Sequence, residues 1–268
     1  MRMMIHLGPK IRRGIFAIDL SGMGVLGLLC FQSVFFMSEV RAQSMSNETL
    51  EKTVEEARVP RLRSADGGIA QLLDQTTERL SPKIKAIVNG KALLELALEE
   101  GLGLWRQARQ RFQADAMVDD RPLYWQRLVI APMIRAQAKH LGLASAKVAQ
   151  LMASFEQASR GQTDVVWAKP NARRVLITGF DPFSLDNHIG QSNPSGAVAL
   201  ALDGRVFEVD GVMVEINAAV FPVRYPDFDA GVLEHWLSPL LIKGALDLFV
   251  SVSMGRDQFD LERFPGRR

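Results

Sequence analysis

Cysteine is nearly absent. Cys30 is the single one in 268 residues, which excludes an intrachain disulfide framework and a cysteine-based zinc cluster. Any thiol chemistry in this stretch would have to rest on Cys30. Charge of one sign is equally scarce: 32 Lys+Arg against 30 Asp+Glu leave a net +2, with no basic footprint of the kind nucleic acid requires. Several catalytic signatures are missing too. There is no G-x-S-x-G pentapeptide at a strand-to-helix turn, no H-E-x-x-H and no Walker loop. What is present is ordinary globular material, 47% hydrophobic and 23% charged, and the length corresponds to about two domains.

Residues 1–44 read as a signal peptide or membrane anchor. Arg2, Lys10, Arg12 and Arg13 form a basic opening, and no charge occurs from Leu20 to Met37. Val40-Arg41-Ala42 offers small residues for cleavage before Gln43. The apolar run is also near the minimum of about 17–25 residues for a spanning helix, so an uncleaved anchor is the alternative. Cys30 lies inside the run as a small hydrophobe. The protein is therefore expected to be exported, periplasmic or secreted, or held by residues 20–37, with membrane contact only through this segment. A start at Met37 or Met45 would instead leave it cytoplasmic.

Residues 45–160 read as successive helices. Ser46 and Asn47 cap a segment from Thr49 to Arg58 that Pro60 stops. A short amphipathic piece carries Ile69, Leu72, Leu73 and Leu80, and Ser81-Pro82 opens the next helix. Gly101 and Gly103 are expected to kink or end it. Asp119-Asp120-Arg121-Pro122 starts another, with acids suited to a helix N-terminus. It runs from Leu123 to His140, and Leu143 to Ala158 follows. Trp105, Tyr124 and Trp125 read as core anchors. Residues 161–172 are polar and punctuated by glycine and proline, as in a linker.

At Arg173 the period changes. Val175-Leu176-Ile177-Thr178 is a buried strand, Pro194-Ser195 opens a helix to Leu202, and 212–223 is a second strand region. A helix over Asp227–Leu240 and a strand over Leu246–Val252 complete the alternation. The fold class expected is α/β: a partial parallel sheet, phosphorylase/hydrolase-like, preceded by an all-α region. Phe180, Asp181, Pro182 and Phe183 fill the turn where a dinucleotide fold needs glycines, so that reading is poor.

Thr178-Gly179-Phe180-Asp181-Pro182-Phe183 followed by Asn193-Pro194-Ser195 resembles the opening of the type I pyroglutamyl peptidases (pyrrolidone-carboxylate peptidases). Phe221-Pro222-Val223 is similar to the exit of that family's second strand, and Leu246-Asp247-Leu248-Phe249-Val250 to its third. Gly255-Arg256 and Glu262-Arg263 have the spacing of its G-R-x-x-x-x-x-E-R segment. The resemblance spans residues 173–268 and implies the N-terminal half of a cysteine exopeptidase domain that removes N-terminal pyroglutamate, with a peptide as partner and no cofactor or metal. In such chemistry a thiolate attacks the acyl carbon, a histidine moves protons and a carboxylate orients the imidazole.

Carried over by motif, Phe180 and Phe183 line a slot for the flat lactam, Asn193 sits at its edge holding the loop, and Glu262 is the catalytic glutamate. The family's cysteine and histidine follow the glutamate, at positions past Arg268. Neither Cys30, His188 nor His235 takes their places, so this stretch is expected to be truncated and inactive by itself. Val252, Ser253 and Phe264-Pro265-Gly266 depart from the family pattern, as in a divergent branch. The alternative is a non-catalytic exported binding protein with a vestigial peptidase half-domain. A parallel sheet ending at its third strand is expected to expose an edge and an apolar face unless the helical region covers it.

Overall fold

The computed structural model describes residues 2–7, 52–114, 119–242, 246–255 and 260–262, with 2–7 and 260–262 as backbone. The apolar run from Leu20 to Met37, Cys30, the cleavage region at Gln43 and the Ser46 and Asn47 caps lie outside them. Among the described residues no helix is long and apolar enough to cross a membrane.

Helix α1 (Val54–Ala57) starts at Thr53, whose hydroxyl accepts from the Glu56 N–H while the Thr53 N–H donates to Glu56 Oε2, a reciprocal capping box. Helix α1 ends at Ala57 with Arg58 as its C-cap, close to the expected stop. Pro60 stands in the first turn of a further helix, α2 (Val59–Ala65), where its missing N–H costs nothing. Asp66 then caps α3 (Gly67–Lys85) through the Ile69 N–H, 3.0 Å. Ser81-Pro82 is not a new start, because α3 continues through it. Leu80 and Ile84 on either side lie on one buried stripe, and their packing outweighs the proline's penalty.

Helix α4 (Gly90–Ala114) runs unbroken past both glycines. A Cβ on Gly101 would come within 2.8 Å of Ala158 Cβ and 3.0 Å of the Phe155 carbonyl. Gly101 therefore serves the close crossing with α6 (Ser145–Ala158) rather than a kink. Between them lies α5 (Arg121–His140). Trp105, Tyr124 and Trp125 are buried, as the sequence predicts.

The sheet has the order β3 (Val206–Val209), β4 (Val212–Phe221), β2 (Arg173–Phe180), β5 (Leu248–Ser253), β1 (Arg2–Leu7), β6 (Asp260–Glu262). Strands β2 (Arg173–Phe180), β4 (Val212–Phe221) and β5 (Leu248–Ser253) are parallel, with Phe180 opposite Phe221 and Thr178 opposite Ser251. This α/β core follows the expected class. Helix α7 (Pro194–Leu202) connects β2 to the hairpin. Strand β3 (Val206–Val209), which the sequence analysis missed, pairs antiparallel with β4 across Asp210-Gly211. Both turn residues have positive φ, 51° and 77°, as a two-residue hairpin turn of primed type requires.

The expected helix over Asp227–Leu240 is two: α8 (Tyr225–Asp229) and α9 (Val232–Ile242), parted at Gly231 with φ 73°. Nor is the edge of β5 left bare, because β1 (Arg2–Leu7) pairs with it antiparallel and β6 (Asp260–Glu262) adds to β1 in parallel.

The helical region and the sheet share one core. Leu93, Trp105, Ile130, Ile134 and Phe155 join Ile177, Ile216, Ala218, Val220 and Val250 in a single buried cluster. On the opposite face Leu176 and Phe249 meet Leu237 of α9. Alternation along each strand thus feeds two apolar layers. The segment read as a linker is tied to β4. Asn217 bonds both backbone groups of Val166, and the Glu215 carboxylate accepts the Ala168 and Lys169 N–H groups at 2.7 and 2.9 Å.

Candidate functional site

The loop between β2 and α7 collects three of the predicted site residues at the carboxyl end of the sheet, where parallel α/β folds place ligands. Two glycines allow its tight return. A Cβ on Gly179 would lie 2.2 Å from the Ser195 carbonyl, and one on Gly196 would lie 2.6 Å from that of Phe180. Backbone therefore crosses backbone at the start of α7.

Asn193 is buried and makes the joint: its Nδ2 donates to the Asp181 carbonyl, 2.9 Å, and its Oδ1 accepts from Ser195 N–H and Oγ–H, 3.1 and 2.8 Å. Ser195 Oγ in turn accepts the Phe180 N–H, 3.1 Å. Asn193 is thus both the cap of α7 and the brace of the loop.

Phe180 ends β2 half-buried. Its ring lies 6.0 Å from that of Phe228 on α8, tilted by 46°. Phe183 is half-buried three residues along the same loop. Glu262 is placed apart from them: it stands opposite Met4 at the end of β6, three strands from β2, about 14 Å at usual strand spacing. His188 and His235 are both exposed.

A buried ion network that sequence reasoning did not single out sits directly beneath this loop. The Asp181 carboxylate accepts from Arg160 Nε and Nη2 on one oxygen, 3.0 and 2.8 Å, and from Arg127 on the other. Arg160 also pairs with Glu156, and Arg224 joins Glu156 at 3.8 Å, Glu55 at 3.1 Å and Asp227 at 2.7 Å. Glu55 accepts the Tyr124 hydroxyl, 3.1 Å.

Burial raises the Glu156 carboxyl, but Arg160, Arg224 and Arg127 together outweigh it and hold it down at about 2. Burial likewise disfavours charge on Arg160, yet Asp181 and Glu156 drive its pKa upward. Arg127, packed over the Tyr124 ring at 5.8 Å, keeps one buried nitrogen, Nη1, with no hydrogen-bond partner among the described residues.

Asp120 stands at the N-cap of α5, but its side chain makes no capping bond there. Its carboxylate accepts the Asn193 N–H at 3.2 and 3.1 Å. Burial pushes it up to about 7, with Asp181 and Asp119 adding, against the favourable Asn193 bond. The available sequence signal was an arginine inside the apolar run of α5 and a second acid where one cap suffices.

The arrangement supplies a braced aromatic loop and a fixed charge lattice. Among the described residues no group of three His, Cys, Asp or Glu could hold a metal ion. A groove of about 480 Å³ lies elsewhere, between α2 and α5, lined by Val59, Pro60, Leu128, Pro132, Arg135 and Lys139.

Comparison with known proteins divides the chain where the secondary structure changes. Residues 38–156 match the PA0049 N-terminal domain and residues 174–268 the PA0049, C-terminal domain. The chain is 38% identical over 198 residues to the uncharacterized protein PA0049 of Pseudomonas aeruginosa, which covers 65% of this chain and 36% of that protein. It spans about a third of that relative's length. No solved structure matches. By these comparisons the chain is similar, across its helical and α/β parts in turn, to the two PA0049 domains.

Proposed function

We propose that the carboxyl end of β2 and β4 is the recognition half of a pyroglutamyl-peptidase-like site. The carrying observation is the brace built by Asn193 and Ser195, which ties the Asp181 carbonyl and the Phe180 N–H to the start of α7, with Phe180 beside Phe228 and Phe183 in the same loop. A pyroglutamyl ring is small and nearly flat, with one N–H and one C=O, and aromatic faces with nearby polar backbone groups suit it. The reading concerns recognition of the lactam by the aromatic loop, with Phe180 and Phe228 as its faces.

Titrating the 268-residue protein with pyroglutamamide, followed by amide chemical shifts, tests the assignment. The expected result is perturbation centred on Phe180, Phe183 and Phe228, abolished by Phe180→Ala. Saturating ligand without shifts in that loop would overturn it.

A second reading follows from the ion network: Arg127 and Arg160 occupy the Asp181 side of the loop, as in a binding protein whose half-domain is purely structural. In that case shifts would be absent at Phe180 and unchanged by its replacement.

A further inference from the structure

The helical region does more than cover the sheet. Its apolar contacts with Ile177, Val220 and Val250 would suffice for that. Yet it also grips the β2–α7 loop at points away from the sheet face. Arg58 forms a two-pronged pair with Asp186, 2.8 and 2.7 Å, and Arg61 donates to the Asp186 carbonyl, 2.6 Å. Leu185 is fully buried among Leu62, Leu73, Tyr124 and Trp125. At the loop's start Arg127 holds Asp181, and at its end Asp120 holds the Asn193 N–H.

Ser184, between Phe183 and Leu185, has φ 59°, a conformation uncommon for serine that these contacts sustain. Surface ion pairs alone contribute little, but a planar arginine fork on a carboxylate whose neighbour is anchored in a core fixes geometry.

We propose that the helical region is the positioning element of the recognition loop, with Arg58 acting through Asp186 to set where Phe183 and Phe180 stand. The part concerning ligand affinity rests on the lactam-recognition reading above. The structural part stands on the contacts themselves.

Charge reversal separates the two. Arg58→Asp and Asp186→Arg each replace the pair with like charges at a partly exposed position, and the double variant restores opposite charges in reversed order. Hydrogen exchange of the amides of 183–192, the dissociation constant for pyroglutamamide and the thermal midpoint are measured on all four proteins. Each single variant is expected to speed loop exchange and weaken the ligand about fivefold, the double to recover both, with the midpoint nearly constant.

Unchanged loop exchange in both single variants would overturn the positioning role. So would faster exchange with ligand affinity intact. Faster exchange that the double variant rescues, with no pyroglutamamide bound by any of the four, would sustain the clamp and refute only the lactam reading.

Discussion

Asp181 and Arg160 are locked together out of solvent, two guanidinium nitrogens sharing one carboxylate oxygen at 2.8 and 3.0 Å, while Arg127 takes the other oxygen. Asp181 belongs to the loop of the α/β part, and both arginines come from the helical part. The joint between the two parts is therefore electrostatic as well as apolar, and it lies against the residues proposed to recognise ligand.

Removing the shared acid leaves two arginines buried without it. Asp181→Ala is expected to cost about 3–5 kcal/mol, as breaking a buried ion pair from one side does. Asp186→Ala, at an exposed carboxylate screened by solvent, should cost far less. Urea titration compares them. Equal losses would show that the buried network contributes no more than a surface pair.

The glycines sort by what surrounds them. Gly179→Ala drives a methyl into backbone 2.2 Å away, which no side-chain adjustment relieves, so soluble folded protein should not be recovered. Gly103→Ala, in the exposed middle of α4 with nothing within 4 Å, should stabilise by about 0.5–1 kcal/mol. Gly101→Ala, against Ala158, should destabilise. Thermal denaturation of the last two tests the contrast, and a stabilised Gly101→Ala would contradict the close crossing of α4 and α6.

Stability should peak in mildly acidic solution for two opposed reasons. Asp120, raised to about 7 by burial, favours the folded state fully below its ordinary value, and that contribution is lost as pH climbs to about 7. Glu156, held at about 2 by its arginines against the effect of burial, contributes above its ordinary value of 4.5 and loses this as pH falls toward 2. Asp120→Asn keeps an acceptor for the Asn193 N–H and removes the titration. Its unfolding free energy should fall less between pH 4 and 7, by up to about 1.4 kcal/mol per pH unit. Parallel wild-type and variant curves would rule out Asp120 as the source.

Much of the loop was legible because its constraints are local. Thr178-Gly179 ends a β-branched run, Asn193-Pro194-Ser195 carries a cap and a first-turn proline, and the observed α7 begins and ends as read. The β3 strand escaped because it is four residues long and lies on the surface, with Phe207 and Val209 exposed, so it lacks the buried alternation that marks a strand. Only the Asp210-Gly211 turn signalled it. Arg127 and Arg160 escaped for a different reason: local sequence does not reveal that an arginine on one helix meets an aspartate 54 residues away.

By itself, the amino-acid sequence determined the change from helical to alternating period near Arg173 and the start of α7 at Asn193-Pro194-Ser195, because each follows from contacts within a few residues. Tertiary structure alone decided that α3 runs through Pro82, that Gly101 admits a neighbouring helix and that 161–172 is bound along β4. It also decided that helical arginines reach beneath the loop between β2 and α7. Those outcomes arise from burial and charge pairing between segments far apart in the chain, where long-range packing overrides local propensity.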